Sequence, residues 1–127
     1  MKSNIKATQQ QTKEHNRDLV LRNLFDHEAI SRAEIARITG LTSTTVSDLV
    51  CELMEQGLVH EIGHGESLGG KSPILLSLIP NSRFIIGVDL ARERFLGTIC
   101  NLRGDILLRV EQRVNDCDSA QALDALY

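Results

Sequence analysis

Aromatic residues are nearly missing from this chain. It has no Trp, one Tyr and three Phe, together 3% of 127 positions. Such a chain is poorly equipped to stack nucleobases on aromatic platforms, so single-strand binding of that kind is disfavoured. Cysteine is sparse as well. Cys51, Cys100 and Cys117 are odd in number and form no C-x-x-C pair. That disfavours a disulfide framework or a cysteine-rich zinc site and reads as free thiols in a reducing cytoplasm. His15, His27, His60 and His64 make no ligand-spaced cluster, so no metal, no cofactor and no catalytic set is assigned. No apolar run nears the ~18 residues of a membrane span. The polar start MKSNIKATQQQ lacks the apolar segment of a secretory signal. These absences point to a cytoplasmic protein. The chain is not of the disordered class either: 42% of it is hydrophobic and its net charge is only −3. Its length suits one domain, or one small domain plus part of another.

The small net charge hides an uneven distribution. Within residues 1–25, Lys2, Lys6, Lys13, Arg17 and Arg22 stand against Glu14 and Asp18, whereas the stretch from Asp48 to Glu66 is acidic. A polarised domain of this kind can present a positive face without being positive overall.

Residues 1–12 are polar, include Gln9-Gln10-Gln11, and read as a solvated tail. Helical periodicity begins near Lys13 and runs to His27, with Val20, Leu21, Leu24 and Phe25 as its apolar side. Ser31-Arg32-Ala33-Glu34 has the form of a capping box, with Ile30 at the staple position before it. The helix it opens, Arg32–Thr39, is expected to bury Ile35, Ala36 and Ile38, and Gly40 stops it. Thr42 is a second N-cap. The helix from Ser43 to Gln56 carries Val46, Leu49, Val50 and Leu53 on one stripe, and Gly57 ends it. Leu58–Ile62 and Ile74–Leu78 read as paired strands around a glycine-rich loop. Pro80-Asn81-Ser82 marks a boundary, giving domains at 13–80 and 81–127. Past it, Phe84–Leu90, Arg94–Asn101 and Ile106–Val114 read as strands. The last two are joined by the tight turn Arg103-Gly104-Asp105, and a helix starts near Ser119.

Helix, short helix, glycine turn, longer helix and two-stranded ribbon is the order of a winged helix-turn-helix. With its stripe packed inward, the third helix leaves Thr44, Thr45, Ser47 and Asp48 outward and Ser43 at the edge. Short polar side chains at a helix start allow close approach to base edges and phosphates. Glu52 and Glu55 would repel DNA, which confines docking to the first two turns. The ribbon tip Ser67-Leu68-Gly69-Gly70-Lys71-Ser72-Pro73 offers glycines for close backbone approach at Gly70. Lys71 there is either a phosphate or minor-groove contact or a solvated loop lysine. Arg32 and Arg37 are either phosphate clamps or surface charges, and Asn16 and Arg17 are further backbone candidates. The expected DNA-binding set is therefore Arg32, Arg37, Thr42, Ser43, Thr44, Thr45, Ser47, Gly70 and Lys71. Cys51 faces outward, either for a partner or as an idle thiol. A purely structural helical hairpin is the plain alternative to all of this.

The segments N-R-D-L-V-L-R-N-L at 16–24, I-S-R-A-E-I-A-R-I-T-G-L-T at 30–42, T-V-S at 45–47, L-M-E-Q-G-L-V at 53–59 and G-G-K-S-P at 69–73 resemble the DNA-binding half of ROK-family repressors. These include the xylose-repressor type and relatives responding to glucose or N-acetylglucosamine derivatives. The likeness continues through I-I-G-V-D-L at 85–90 and N-L-R-G-D-I-L at 101–107. It implies an α+β chain: a winged helix-turn-helix of three helices and a two-stranded wing, then a truncated βββα start of an actin-like, sugar-kinase-type domain. Two departures stand out. Family wings often carry Arg followed at once by Pro, whereas here Lys71 is followed by Ser72, so a bidentate guanidinium contact is lost. The kinases of the family carry a Gly-rich phosphate loop where this chain has Asp89-Leu90-Ala91-Arg92-Glu93-Arg94, which disfavours ATP binding. The family's sugar-binding domain is also far longer than the stretch after Pro80. Three strands and a helix would leave apolar surface uncovered, so dimerisation or poor order is expected there.

The resemblance thus implies a sequence-specific regulator of carbohydrate-utilisation genes, a repressor and not an enzyme. It would bind double-stranded DNA as a homodimer, with a sugar effector only if a full-length ROK domain exists. The competing readings are a degenerate sugar-kinase fragment and a winged-helix module for protein interaction.

Overall fold

A computed structural model of the chain describes residues 8–67, 69–92 and 94–113. These fall into two compact units that meet between Ile79 and Pro80.

The first unit opens with helix α1, Gln9–Asp26. It begins four residues before the onset of helical periodicity, so 9–12 are helix and not tail. The reason is local: Thr8 Oγ1 accepts the Gln11 N–H at 3.2 Å, and Gln11 Oε1 accepts the Thr8 N–H at 2.9 Å. This reciprocal capping box needs no apolar residue. Strand β1, Ile30–Ser31, leads into helix α2, Arg32–Thr39, and Gly40 ends α2 at φ 71°. That left-handed conformation is cheap only for glycine, and it lets the chain turn into helix α3, Ser43–Glu55. Strands β2, Val59–His64, and β3, Ile74–Leu78, form the wing.

The wing is not the two-stranded ribbon expected. β1 adds to β3, giving the order β1-β3-β2, all antiparallel. The cap explains it. An N-cap residue sits in the extended region, and Ser31 at φ −89°, ψ 158° is already in strand geometry opposite Leu75. β2 also runs two residues further than expected, through a bulge between Glu61 and Gly63.

All six elements of this unit seal one core. Val20 and Leu24 come from α1, Ile30 from β1, and Ile35 from α2. Val46, Leu49, Val50 and Leu53 come from α3, Val59 from β2, and Leu76 and Leu78 from β3. Each fully buried aliphatic side chain contributes about 1.5–3 kcal/mol. Two expected core residues lie outside: Phe25 is 49% and Ile38 44% exposed. At 100° per residue, Phe25 stands 100° from buried Leu24 and Ile38 stands 60° from buried Ile35.

The second unit holds a helical turn at Pro80–Ser82 and the strands β4, Phe84–Ala91, β5, Arg94–Asn101, and β6, Ile106–Arg113. They form an antiparallel meander in sequence order. The expected helix near Ser119, the strand end at Val114 and the leader before Thr8 lie outside the described residues. Buried Asn101 builds the β5–β6 turn. Its Oδ1 accepts the N–H groups of Arg103 and Asp105 at 2.9 and 3.0 Å. Its Nδ2 donates to Asp105 Oδ2 and Asn81 Oδ1 at 2.9 and 3.1 Å. Both donor hydrogens and both acceptor lone pairs are used.

Directly opposed residues share a face of an antiparallel sheet. The register puts Phe84, Ile86, Val88 and Leu90 of β4 together with Phe95 and Ile99 of β5 and Leu108 and Val110 of β6. Asp89, Arg94, Thr98, Arg109 and Glu111 lie on the other face.

Candidate nucleic-acid interface

The inward stripe of α3 fixes what its outer side presents. Thr42 caps the helix by accepting the Thr45 N–H at 3.2 Å, and the two hydroxyls are 2.9 Å apart. Thr42, Ser43, Thr44 and Asp48 are exposed, while Thr45 and Ser47 are half-buried. Helix spacing sorts them into two outward rows, Thr44–Ser47–Cys51 and Thr45–Asp48–Glu52. In the first two turns these side chains are short, so the tip is blunt and lined with hydroxyls. Cys51 is exposed, as its helix position requires.

A second group forms where α2 begins. Ser31, Arg32 and Ala33 share one concavity with Lys71, Ser72, Pro73 and Ile74 of the wing. The cations Arg32 and Lys71, 39 residues apart, are brought to one site. They differ in freedom. Arg32 Nη2 donates to Glu61 Oε1 of β2 at 3.1 Å and lies 3.6 Å from Met54 Sδ. Lys71 is exposed and has no ion pair among the described residues. The loop before it is closed by Ser67, whose hydroxyl bonds the carbonyl and N–H of Gly70. A Cβ added at Gly70 would meet nothing within 4 Å, so the backbone there is open to an approaching ligand. Leu68 lies outside the described residues.

Arg37 is engaged as well. Its Nε donates to Glu34 Oε2 at 3.0 Å and its Nη2 to Glu34 Oε1. These bonds from Arg37 hold the Glu34 carboxyl below the usual carboxylate range, and the same partner raises Arg37. The Ser31 cap is therefore only half the expected box. Ser31 Oγ accepts the Glu34 N–H at 3.2 Å, but the Glu34 carboxylate turns to Arg37.

On α1, Asn16 is half-buried and faces α3, while Arg17 Nη2 donates to Gln56 Oε1 at 2.6 Å, at the far end of α3 from its tip. Gln9, Thr12 and Lys13 border the outer side of α3 and were not among the expected residues. The signal for them was the T-x-x-Q pattern at 8–11, which starts the helix early enough to carry them alongside. Among the described residues no group of three His, Cys, Asp or Glu could hold a metal ion, and no helix is long and apolar enough to cross a membrane.

A sequence family described as "Winged helix-turn-helix DNA-binding" matches residues 16–60, which span the second half of α1, both later helices and the start of β2. The xylose repressor of Bacillus spizizenii is 37% identical over 102 residues, 80% of this chain and 27% of that protein. The xylose repressor of Caldicellulosiruptor bescii is 37% identical over 95 residues, 75% of this chain and 24% of that protein. A crystal structure of a ROK family transcriptional regulator, homolog of the E. coli MLC protein, superposes with a TM-score of 0.72 at 20% identity. It covers 91% of this chain and 29% of that one. The sequence is thus similar to that of xylose repressors, and the fold is that of a ROK family transcriptional regulator. The chain spans about a quarter of the length of the curated relatives it matches.

Proposed function

We propose that this chain is a ROK-family, sequence-specific regulator that binds double-stranded DNA, acts in the cytoplasm and represses carbohydrate-utilisation genes by occluding their promoters. The observation that carries the reading is the tip of α3. Its inner stripe is sealed in the core, while Ser43, Thr44, Thr45 and Ser47 leave a small polar end able to enter a major groove. Lys71 and the open backbone at Gly70 bear on phosphates beside it, and Arg32 and Arg37 join them by exchanging Glu61 and Glu34 for phosphate oxygens. Helix-turn-helix modules gain affinity by binding two half-sites, so the working form is a homodimer on a two-fold operator. The repressor role is supported by the names of the related xylose repressors. The second unit is the first part of an actin-like, sugar-kinase-type domain. Its role is non-enzymatic, because Ala91 pairs with Arg94 in a hairpin where kinases of the family carry their phosphate loop.

The test is selection of duplexes from a random pool by the full chain, followed by salt titration of the selected duplex. Affinity should fall steeply and linearly in log–log form. Lys71→Ala should weaken all duplexes alike and reduce the slope by about 1, whereas Thr45→Ala should change the preferred sequence. A flat salt dependence, or no enrichment of any sequence, would contradict the reading.

A further inference from the structure

The first half of α1 has no place in the core. Residues 9–18 read QQQTKEHNRD, polar on every side, and the buried residues of the helix begin at Val20. A polar half-helix of this kind has no apolar reason to lie against a neighbour. It is nevertheless pinned to the outer side of α3. Lys13 Nζ meets Glu52 Oε1 at 2.6 Å, and Arg17 Nη2 meets Gln56 Oε1 at 2.6 Å. Both pairs are 39 residues apart in sequence, so the two helices run in the same direction with a constant offset. The same offset sets Gln9 beside Asp48, within the first two turns of α3. The channel between the helices takes Gln9, Thr12, Lys13 and Asn16 from α1 and the row Thr45–Asp48–Glu52 from α3.

We propose that this channel is a second DNA-contacting surface, in which Gln9 and Thr12 hold the sugar–phosphate strand bordering the bases that α3 addresses. The inference rests on the DNA-binding reading of α3. Scale supports it. Packed helices lie about 8–10 Å apart, and a major groove is about 12 Å wide. A helix centred in the groove therefore carries its lateral neighbour over one wall, where the phosphates run. Charge supports it too. Glu52, which alone would repel DNA, is matched by Lys13. Asp48 has no ion pair among the described residues. A carboxylate at that position accepts from a cytosine amino group but repels phosphate. The strand must then follow the α1 side, over the exposed amide of Gln9 and hydroxyl of Thr12. Lys13 acts as a positioning residue that keeps the third turn of α3 electrically neutral.

The test uses the full chain and a duplex it selects from a random-sequence pool. The variant Gln9→Ala with Thr12→Ala leaves the Thr8–Gln11 capping box intact. It should bind that duplex about fivefold more weakly, with base preference unchanged. Phosphate-ethylation interference should disappear at backbone positions flanking the α3 contacts. Lys13→Ala should also weaken binding, and adding Glu52→Ala should restore part of the loss. The proposal is overturned if the double variant binds within twofold of the parent and keeps every interfering phosphate, while Thr45→Ala still alters preference. In that outcome the α3 reading stands alone. If the parent chain selects no duplex, the reading of α3 fails and the channel proposal fails with it.

Discussion

Val46 and Ile86 are both branched apolar residues in regular elements, yet Val46 is fully buried and Ile86 is 72% exposed. The contrast extends to the two units. In the first, helices and sheet supply two layers, and their apolar sides close on each other. In the second, the described residues form a single sheet, and one layer cannot bury its own faces. Phe84, Val88, Leu90, Leu108 and Val110 are all more than half exposed. The winged helix is thus a self-sufficient platform: its outward side chains are held by a core that owes nothing to a ligand. The sheet is built to be covered.

The sharpest way to break this comparison is to hollow out each unit in turn. Leu53→Ala should destabilise the first unit by about 2–5 kcal/mol in denaturant unfolding, because it removes fully buried atoms and leaves a cavity. Ile86→Ala should stay within about 0.5 kcal/mol. Equal costs would mean that the sheet face is sealed in solution. Next in size is the one buried polar side chain found among the described residues. Asn101→Ala strands the backbone groups of the β5–β6 turn and should cost about 1–3 kcal/mol. Hydrogen exchange should accelerate in β5 and β6 while the amides of α3 keep their protection. Gly40→Ala tests the first unit's turn. No atom lies within 4 Å of an added Cβ, so the cost is backbone strain alone, about 1 kcal/mol.

The smallest effect concerns charge. Glu34→Gln frees Arg37 and should tighten binding to a selected duplex about threefold at low salt. The pH dependence has a definite sign. Folding lowers the Glu34 pKa, so the pair's support is complete above the ordinary carboxylate range and is lost as pH falls through the lowered value. Any difference in thermal unfolding between the parent and Glu34→Gln should therefore vanish on acidification.

Much of this was legible in the residues, where one local interaction decides the outcome. Thr42, Ser31 and Gly40 announce their caps, and Val46, Leu49, Val50 and Leu53 announce a buried stripe. Periodicity failed at residues 9–12, because that half of α1 is fixed by a cap and by cross-helix polar pairs instead of by apolar burial. β1 was invisible because two residues carry no alternation and Ser31 already served as a cap. For the candidate site, the exposure of Thr42, Ser43 and Thr44 was legible from the buried stripe, but the pairing of its cations was not. Arg32 and Arg37 are the right residue types for phosphate, yet that Glu61 and Glu34 hold them depends on side-chain directions that spacing does not specify.

The most direct test of the central claim is an amide chemical-shift map of the full chain with and without a duplex selected from a random pool. The account predicts large perturbations at Ser43, Thr44, Thr45 and Ser47 and at Gly70 and Lys71, with the amides of Ile86, Val88 and Leu108 unmoved. Perturbations centred on β4–β6, with the start of α3 silent, would contradict it.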